Sequence, residues 1–120
     1  MGCVYLLMEN NDETNYKIGV TRGKLENRIK KLQTGNSNEI SICSFFETEI
    51  PFLIEKKLHN KYLSSKVINE WYHLSDDEVF KFRETCKQIE DNIFALKDNP
   101  YVAKKINKFN ETTTKKNIKK

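Results

Sequence analysis

Val4-Tyr5-Leu6-Leu7-Met8 and Tyr16-Lys17-Ile18-Gly19-Val20, on either side of the turn-forming run Asn10-Asn11-Asp12-Glu13, carry the reading of this chain. The first stretch is apolar and rich in strand formers. The second alternates at period two, as a half-buried strand does. Two such runs around a polar turn read as an antiparallel hairpin. Beyond it Thr21 offers a capping hydroxyl, and Leu25, Ile29 and Leu32 recur at helical spacing until Thr34-Gly35-Asn36 stops the pattern. That spacing predicts a first helix over about residues 24–34.

Ile40-Ser41-Ile42-Cys43-Ser44-Phe45 alternates again and reads as a third strand. Thr48 or Glu49, followed by Pro51 where a helix tolerates it, opens a second helix running to about Leu63. A loop and the short apolar stretch Glu70-Trp71-Tyr72-His73-Leu74 follow. Ser75 with Asp76, Asp77 and Glu78 then supplies an N-cap and a first turn of acids for a third helix, whose buried face is Val79, Phe80, Phe82, Cys86, Ile89 and Ile93. Asn99-Pro100 breaks the pattern, Tyr101 to Phe109 forms a further helical piece, and the Lys-rich stretch from Asn110 has no periodicity, which predicts disorder. The expected fold is α/β of the α+β kind, a small three-stranded antiparallel sheet flanked by helices. One domain covers residues 1–96, a helical extension 97–109 and a tail 110–120.

A chain of 120 residues has room for one ordinary domain. With 38% hydrophobic and 32% charged residues and no run near the roughly 20 apolar residues that cross a bilayer, it is expected to be soluble, with no membrane partner. The N-terminus lacks a basic flank and a small-residue cleavage site, so the expected place is intracellular, cytoplasmic or nuclear, and not secreted. Leu6 stands where an acylation signal after Met1-Gly2-Cys3 wants Ser or Thr. Cys3, Cys43 and Cys86 are odd in number, far apart and accompanied by two histidines, which reads as reduced, mostly buried thiols rather than a zinc site.

The net charge of +4 is unevenly spread. Residues 97–120 hold eight lysines against Asp98 and Glu111, a balance of +6, which leaves residues 1–96 at −2. A second basic zone, Lys17, Arg22, Lys24, Arg28, Lys30 and Lys31, faces only Glu26. Two positive zones on a nearly neutral body point to a polyanion held at a defined place, with Arg22, Lys24, Lys30 and Lys31 as its contacts. The bland alternative is a solvated helix face and a solvated tail.

The order hairpin with Gly at its end, basic helix, strand, helix with an inward acid resembles the GIY-YIG nucleases. Cys3-Val4-Tyr5 looks like the family's first tripeptide and Tyr16-Lys17-Ile18-Gly19 like its second, with Arg28 and Glu55 where the family has its arginine and its metal-binding glutamate. Tyr16-Lys17-Ile18-Gly19-Val20-Thr21, Arg28, Leu32-Gln33-Thr34-Gly35, Ile54-Glu55-x-x-Leu58-His59 and Glu70-Trp71-Tyr72 also resemble a branch common in phages, bacteria and large viruses. The likeness covers about residues 2–82. It implies an endonuclease that hydrolyses DNA with one Mg²⁺ or Mn²⁺ and leaves a 5′-phosphate. It further implies Glu55 as metal ligand, Arg28 on the phosphate and Tyr5 as general base. The sequence departs from the family in placing Lys17 on the second motif's tyrosine, and Cys3 on the first glycine.

The same residues have chemistry of their own. Glu55 suits Mg²⁺, which takes one or two carboxylates and completes its shell with waters and phosphate oxygens; an ordinary helical Glu paired with Lys is the alternative. Arg28 shares a face with Lys24 and Lys31, where a phosphate would lie bidentate on the guanidinium, or where charge would simply face solvent. Tyr5 by itself reads as a core tyrosine. As a base it needs a lowered pKa, because free tyrosine titrates near 10, and Lys17 facing it across the hairpin is the expected cation. Tyr16 then packs on the opposite sheet face. His59, one turn beyond Glu55, either touches the phosphate or the metal's waters, or is a satisfied interior histidine. Trp71 reads as a core anchor before a base-stacking platform, His73 as surface, and Asn69 as a residue able to approach the site.

Three functions compete: a metal-dependent DNA endonuclease acting as a monomer or weak dimer, a catalytically silent nucleic-acid-binding module of the same fold, and an RNA-binding adaptor resting on the lysines alone. No appended base-reading module is present in the sequence, so little sequence preference is expected.

Overall fold

The computed structural model describes residues 1–108. The expected hairpin is present: β1 (Gly2–Glu9) pairs antiparallel with β2 (Asn15–Thr21), Tyr5 opposite Gly19 and Leu7 opposite Lys17. Its turn is built on Asp12, whose Oδ1 accepts the backbone N–H groups of Thr14 and Asn15 at 3.0 and 3.2 Å. This is the local bonding that makes Asp a turn former. On the other side of β1 runs β3 (Ile40–Thr48), also antiparallel, with Tyr5 opposite Phe45 and a bulge between Leu6 and Leu7.

The sheet has five strands rather than three. β4 (Lys66–Ile68) and β5 (Trp71–His73) extend it beyond β2 in the order β3-β1-β2-β5-β4, with Lys17 opposite Trp71 and Tyr16 opposite Tyr72. Strands of three residues are too short to display a period, and every residue of β4 is exposed. They exist because β2 offers an unpaired edge, where Ile18 N–H reaches the Glu70 carbonyl at 3.1 Å. Asn69, in the left-handed region at φ 51°, turns the chain between them.

Among the described residues four α-helices and one C-terminal helical piece flank the sheet. α1 (Leu25–Thr34) buries no residue fully, and Thr21 bonds Gly23 N–H in a local turn at 3.2 Å instead of capping it. α2 (Pro51–Lys61) starts on Pro51 and buries Leu53, Ile54 and Leu58. Thr48 prepares that start: its hydroxyl donates to Glu90 at 2.7 Å and accepts from Ile50 N–H at 3.2 Å.

The expected third helix is two. α3 (Asp76–Phe80) opens on the Ser75–Glu78 capping box and ends at Lys81, and α4 (Phe82–Ala95) restarts from there. Val79, Phe82, Cys86, Ile89 and Ile93 do line the core. Phe80 does not: it is 91% exposed, because a one-residue step rotates a side chain by about 100° off that stripe. Residues 100–108 form α5. The stretch 110–120 expected to be disordered lies outside the described residues. Among the described residues no helix is long and apolar enough to cross a membrane.

Pleating sorts the sheet's side chains. Val4, Leu6, Tyr16 and Ile18 join Ile54 and Leu58 of α2 and Phe82 and Cys86 of α4 in one core. Tyr16 packs there as expected, its hydroxyl donating to the Glu13 carbonyl at 2.9 Å. Tyr5, Leu7, Lys17 and Gly19 alternate to the other face, which meets α1.

Candidate active site

Tyr5 is set into that second face by its partner. A Cβ built on Gly19 would stand 2.5 Å from the Tyr5 hydroxyl oxygen and 2.6 Å from Cζ, so the ring lies flat on glycine. From α1, Arg28 Nε donates to the Tyr5 oxygen at 3.3 Å. Burial nevertheless pushes the Tyr5 phenol above its usual range, against the lowering pull of Arg28, with Glu70 and Glu55 pushing the same way as burial. The expectation of a lowered Tyr5 pKa is therefore corrected for the unliganded protein, and so is the expected cation: Arg28, not Lys17, touches the phenol.

Tyr5, Arg28 and Glu55 line one open cleft of ≈ 550 Å³, together with Arg22, Lys24 and Lys31. Lys30 does not line it. Arg22 lies over the Phe52 ring, 5.7 Å from its centroid, which tethers a guanidinium at the cleft wall. Of the basic zone, Arg22, Lys24, Arg28 and Lys31 thus become a rim, because strand end, connection and helix all open onto the same hollow.

Opposite the rim are carboxylates. Glu55 on α2 is pushed up to about 7, first by burial and then by Glu70, with Lys17 pulling it down. His59, one turn along, has its Nε2 buried without a hydrogen-bond partner, 3.8 Å from the Glu55 carboxylate. Its ring stands edge-on to Tyr72 at 5.3 Å. Burial lowers its pKa while a bond to the Ile18 backbone raises it. With Nε2 unbonded, that backbone bond falls to Nδ1, and Nε2 lies toward the Glu55 carboxylate. His59 is thus neither in the cleft lining nor a satisfied interior histidine.

Lys17 is brought near without reaching Tyr5. Register puts it opposite Leu7, two residues along from Gly19, and its ammonium pairs with Glu70 at 3.2 Å. It also sits 5.9 Å from the Trp71 ring centroid. Glu70 is the residue the sequence reading passes over: it lines the cleft, pairs with Lys17 and perturbs both Glu55 and Tyr5. Its signal was only adjacency to Trp71-Tyr72, since nothing in a loop acid announces which hollow it faces. Asn69 beside it provides the turn and does not line the cleft. Trp71 is a second correction. The core anchor is Tyr72, 1% exposed, whereas Trp71 is only partly buried, because alternation in β5 sends neighbours to opposite faces.

Among the described residues no group of three or more His, Cys, Asp or Glu forms a metal cage. The donors present suit a hydrated hard cation. Glu55 and Glu70 line one cleft, burial and Glu70 disfavour the negative form of Glu55 that a cation would stabilise, and an orphaned imidazole nitrogen lies 3.8 Å from its carboxylate. Mg²⁺ and Mn²⁺ accept one or two carboxylates and keep several waters.

Glu55 also burdens the fold. Its folded pKa lies above the 4.5 of the free side chain, so the native state binds the extra proton and stability falls as pH rises from 4.5 through about 7. At about 1.36 kcal/mol per unit the loss is about 3 kcal/mol at most. Thermal unfolding in EDTA is expected to show Glu55→Gln more stable than wild type at pH 8, with the gap closing toward pH 4.5. A gap independent of pH would contradict the burial of a charged carboxylate there.

Residues 2–89 match the family model of the T5orf172 domain, a span from β1 into α4 that contains every cleft residue named above. No curated protein and no solved structure matches the chain.

Proposed function

The chain belongs to the T5orf172 domain family, a phage-associated type, and from that premise we propose that it is a GIY-YIG-type endonuclease that hydrolyses DNA phosphodiester bonds with one divalent metal ion. The observation that carries the reading is convergence: a phenol, a guanidinium and an inward carboxylate from three separate elements line one cleft with a basic rim. Bound at Glu55, the ion would supply charge neutralisation at the phosphate and acidify a water.

The chain's own groups divide the remaining work. Arg28, with Lys24 and Lys31 beside it, holds the phosphate as a charge-assisted anion site. The Tyr5 hydroxyl orients the attacking water. Once Tyr5 has lost its proton to solvent, Arg28 Nε at 3.3 Å stabilises the phenolate, which then takes the proton of the attacking water. Water oxygen bonds to phosphorus as the bond to the 3′ oxygen breaks, leaving a 5′-phosphate and a 3′ oxygen that takes a proton from solvent water to become the 3′-hydroxyl. Glu70 ties Lys17 in place at the cleft edge.

A second reading, a silent nucleic-acid-binding module, is favoured by one observation, the raised pKa of Tyr5. Nicking of supercoiled plasmid by the full chain separates the two. The endonuclease reading expects relaxed product with Mg²⁺ or Mn²⁺ and none in EDTA. DNA that is bound but uncut in every condition would leave the silent module standing.

A further inference from the structure

Beside the cleft lies a second recess of ≈ 280 Å³, walled by Trp71 with Leu7, Leu32 and Asn36 and flanked by Lys17 and Lys31. Lys31 lines both hollows, so they are neighbours along α1. The volume falls just below the roughly 300–1,000 Å³ of small-molecule pockets, room for one ring system and far too little for a duplex.

Trp71 is not placed there by the demands of the core, which Tyr72 fills. Its strand is fixed by pairing with β2, opposite Lys17. The Lys17 ammonium, anchored to Glu70, stands 5.9 Å from the indole centroid. An aromatic ring held in advance by a sheet and an ion pair loses little freedom when something stacks on it. An indole, an aliphatic floor and two ammonium groups are what a nucleobase and its flanking phosphates require: a π face to stack on and cations along the backbone.

We propose that this recess takes one unstacked nucleobase of the strand lying in the cleft, stacked on Trp71, with Lys31 bridging the phosphates on either side. The inference rests on the endonuclease reading and deepens it. The favoured substrate is DNA with single-stranded or branched character, since a regular duplex keeps its bases stacked and must be opened first. Lys17, at the second motif's tyrosine position, then serves strand positioning rather than activation of Tyr5.

Trp71 is the sole tryptophan of the chain, so its emission reports this recess alone. The full chain is titrated in EDTA with a short oligothymidylate and with a blunt duplex of equal length. Saturable quenching by the oligothymidylate, stronger than by the duplex, is the expected result. By the anisotropy of a dye-labelled oligothymidylate, which needs no tryptophan, Trp71→Ala is expected to weaken binding about ten- to a hundredfold, and Trp71→Phe to retain most of the affinity. Oligothymidylate that binds wild type with unchanged emission, or binds Trp71→Ala equally well, overturns the recess and leaves the endonuclease reading intact. Should Trp71→Ala not fold by circular dichroism, the quenching and Trp71→Phe decide. If neither DNA binds and plasmid is not nicked, the endonuclease reading falls, and the recess proposal with it.

Discussion

Glu55→Ala is expected to lower plasmid nicking on the order of a thousandfold while leaving DNA affinity in EDTA close to wild type. The size follows from what the carboxylate holds. A metal's stabilisation of transition-state charge is worth several kcal/mol, and about 4 kcal/mol corresponds to a factor near 10³. The direction of the stability change makes the test clean. Glu55 is a buried acid pushed up to about 7, beside a second acid in the cleft, so its removal relieves repulsion at pH 8. The variant should therefore unfold no earlier than wild type at that pH. Loss of cleavage with unaltered thermal stability assigns the defect to chemistry. Nicking that persists at the wild-type rate would remove Glu55 from the mechanism and, with it, the proposed seat of the metal.

Gly19→Ala is the second large effect, and it removes no polar group. In an ordinary strand this exchange stabilises slightly, because alanine has less freedom to lose on folding. Here the new methyl carbon would fall 2.5 Å from the Tyr5 hydroxyl oxygen and 2.6 and 2.8 Å from two of its ring carbons. Tyr5 is 1% exposed and tied to Arg28, so the ring has nowhere easy to go. Overpacking of this kind costs about 1–3 kcal/mol. A displacement of about 1 Å at a reacting group can cost a hundredfold in rate. Both losses are expected together. The cause is checked by coupling: in a Tyr5→Ala background the stability penalty of Gly19→Ala should largely vanish. An equal penalty in both backgrounds would mean that Gly19 matters for backbone reasons, which the absence of any left-handed glycine argues against.

Much of this is legible in the sequence alone. Period-two alternation in Tyr16-Lys17-Ile18-Gly19-Val20 and the helical recurrence of Leu25, Ile29 and Leu32 are local patterns, and the hairpin and α1 follow them closely. The placement of Arg28 in a basic row and of Glu55 on an otherwise apolar helix face was likewise a matter of spacing, and both residues line the cleft. Phe80 escapes the expected core because a one-residue step around a helix carries a side chain off the buried stripe, and a break at Lys81 is invisible to a period count.

What the chain determined alone was the set of elements and the chemical kinds they carry: strands that pair in sequence, a basic helix, an acid on an apolar face. Local spacing decides these, because each depends on neighbours within a few residues. Only the tertiary structure decided which cation meets which acid or phenol. The pairing register sets Gly19 against Tyr5 and Lys17 against Leu7, which gives Tyr5 to Arg28 across 23 residues of chain and Lys17 to Glu70. It likewise brought β5 to the edge of β2, carrying Glu70 into the cleft and turning Trp71 out of the core beside it. Contacts between distant segments are chosen by how faces pack and edges pair, and no local pattern records that choice.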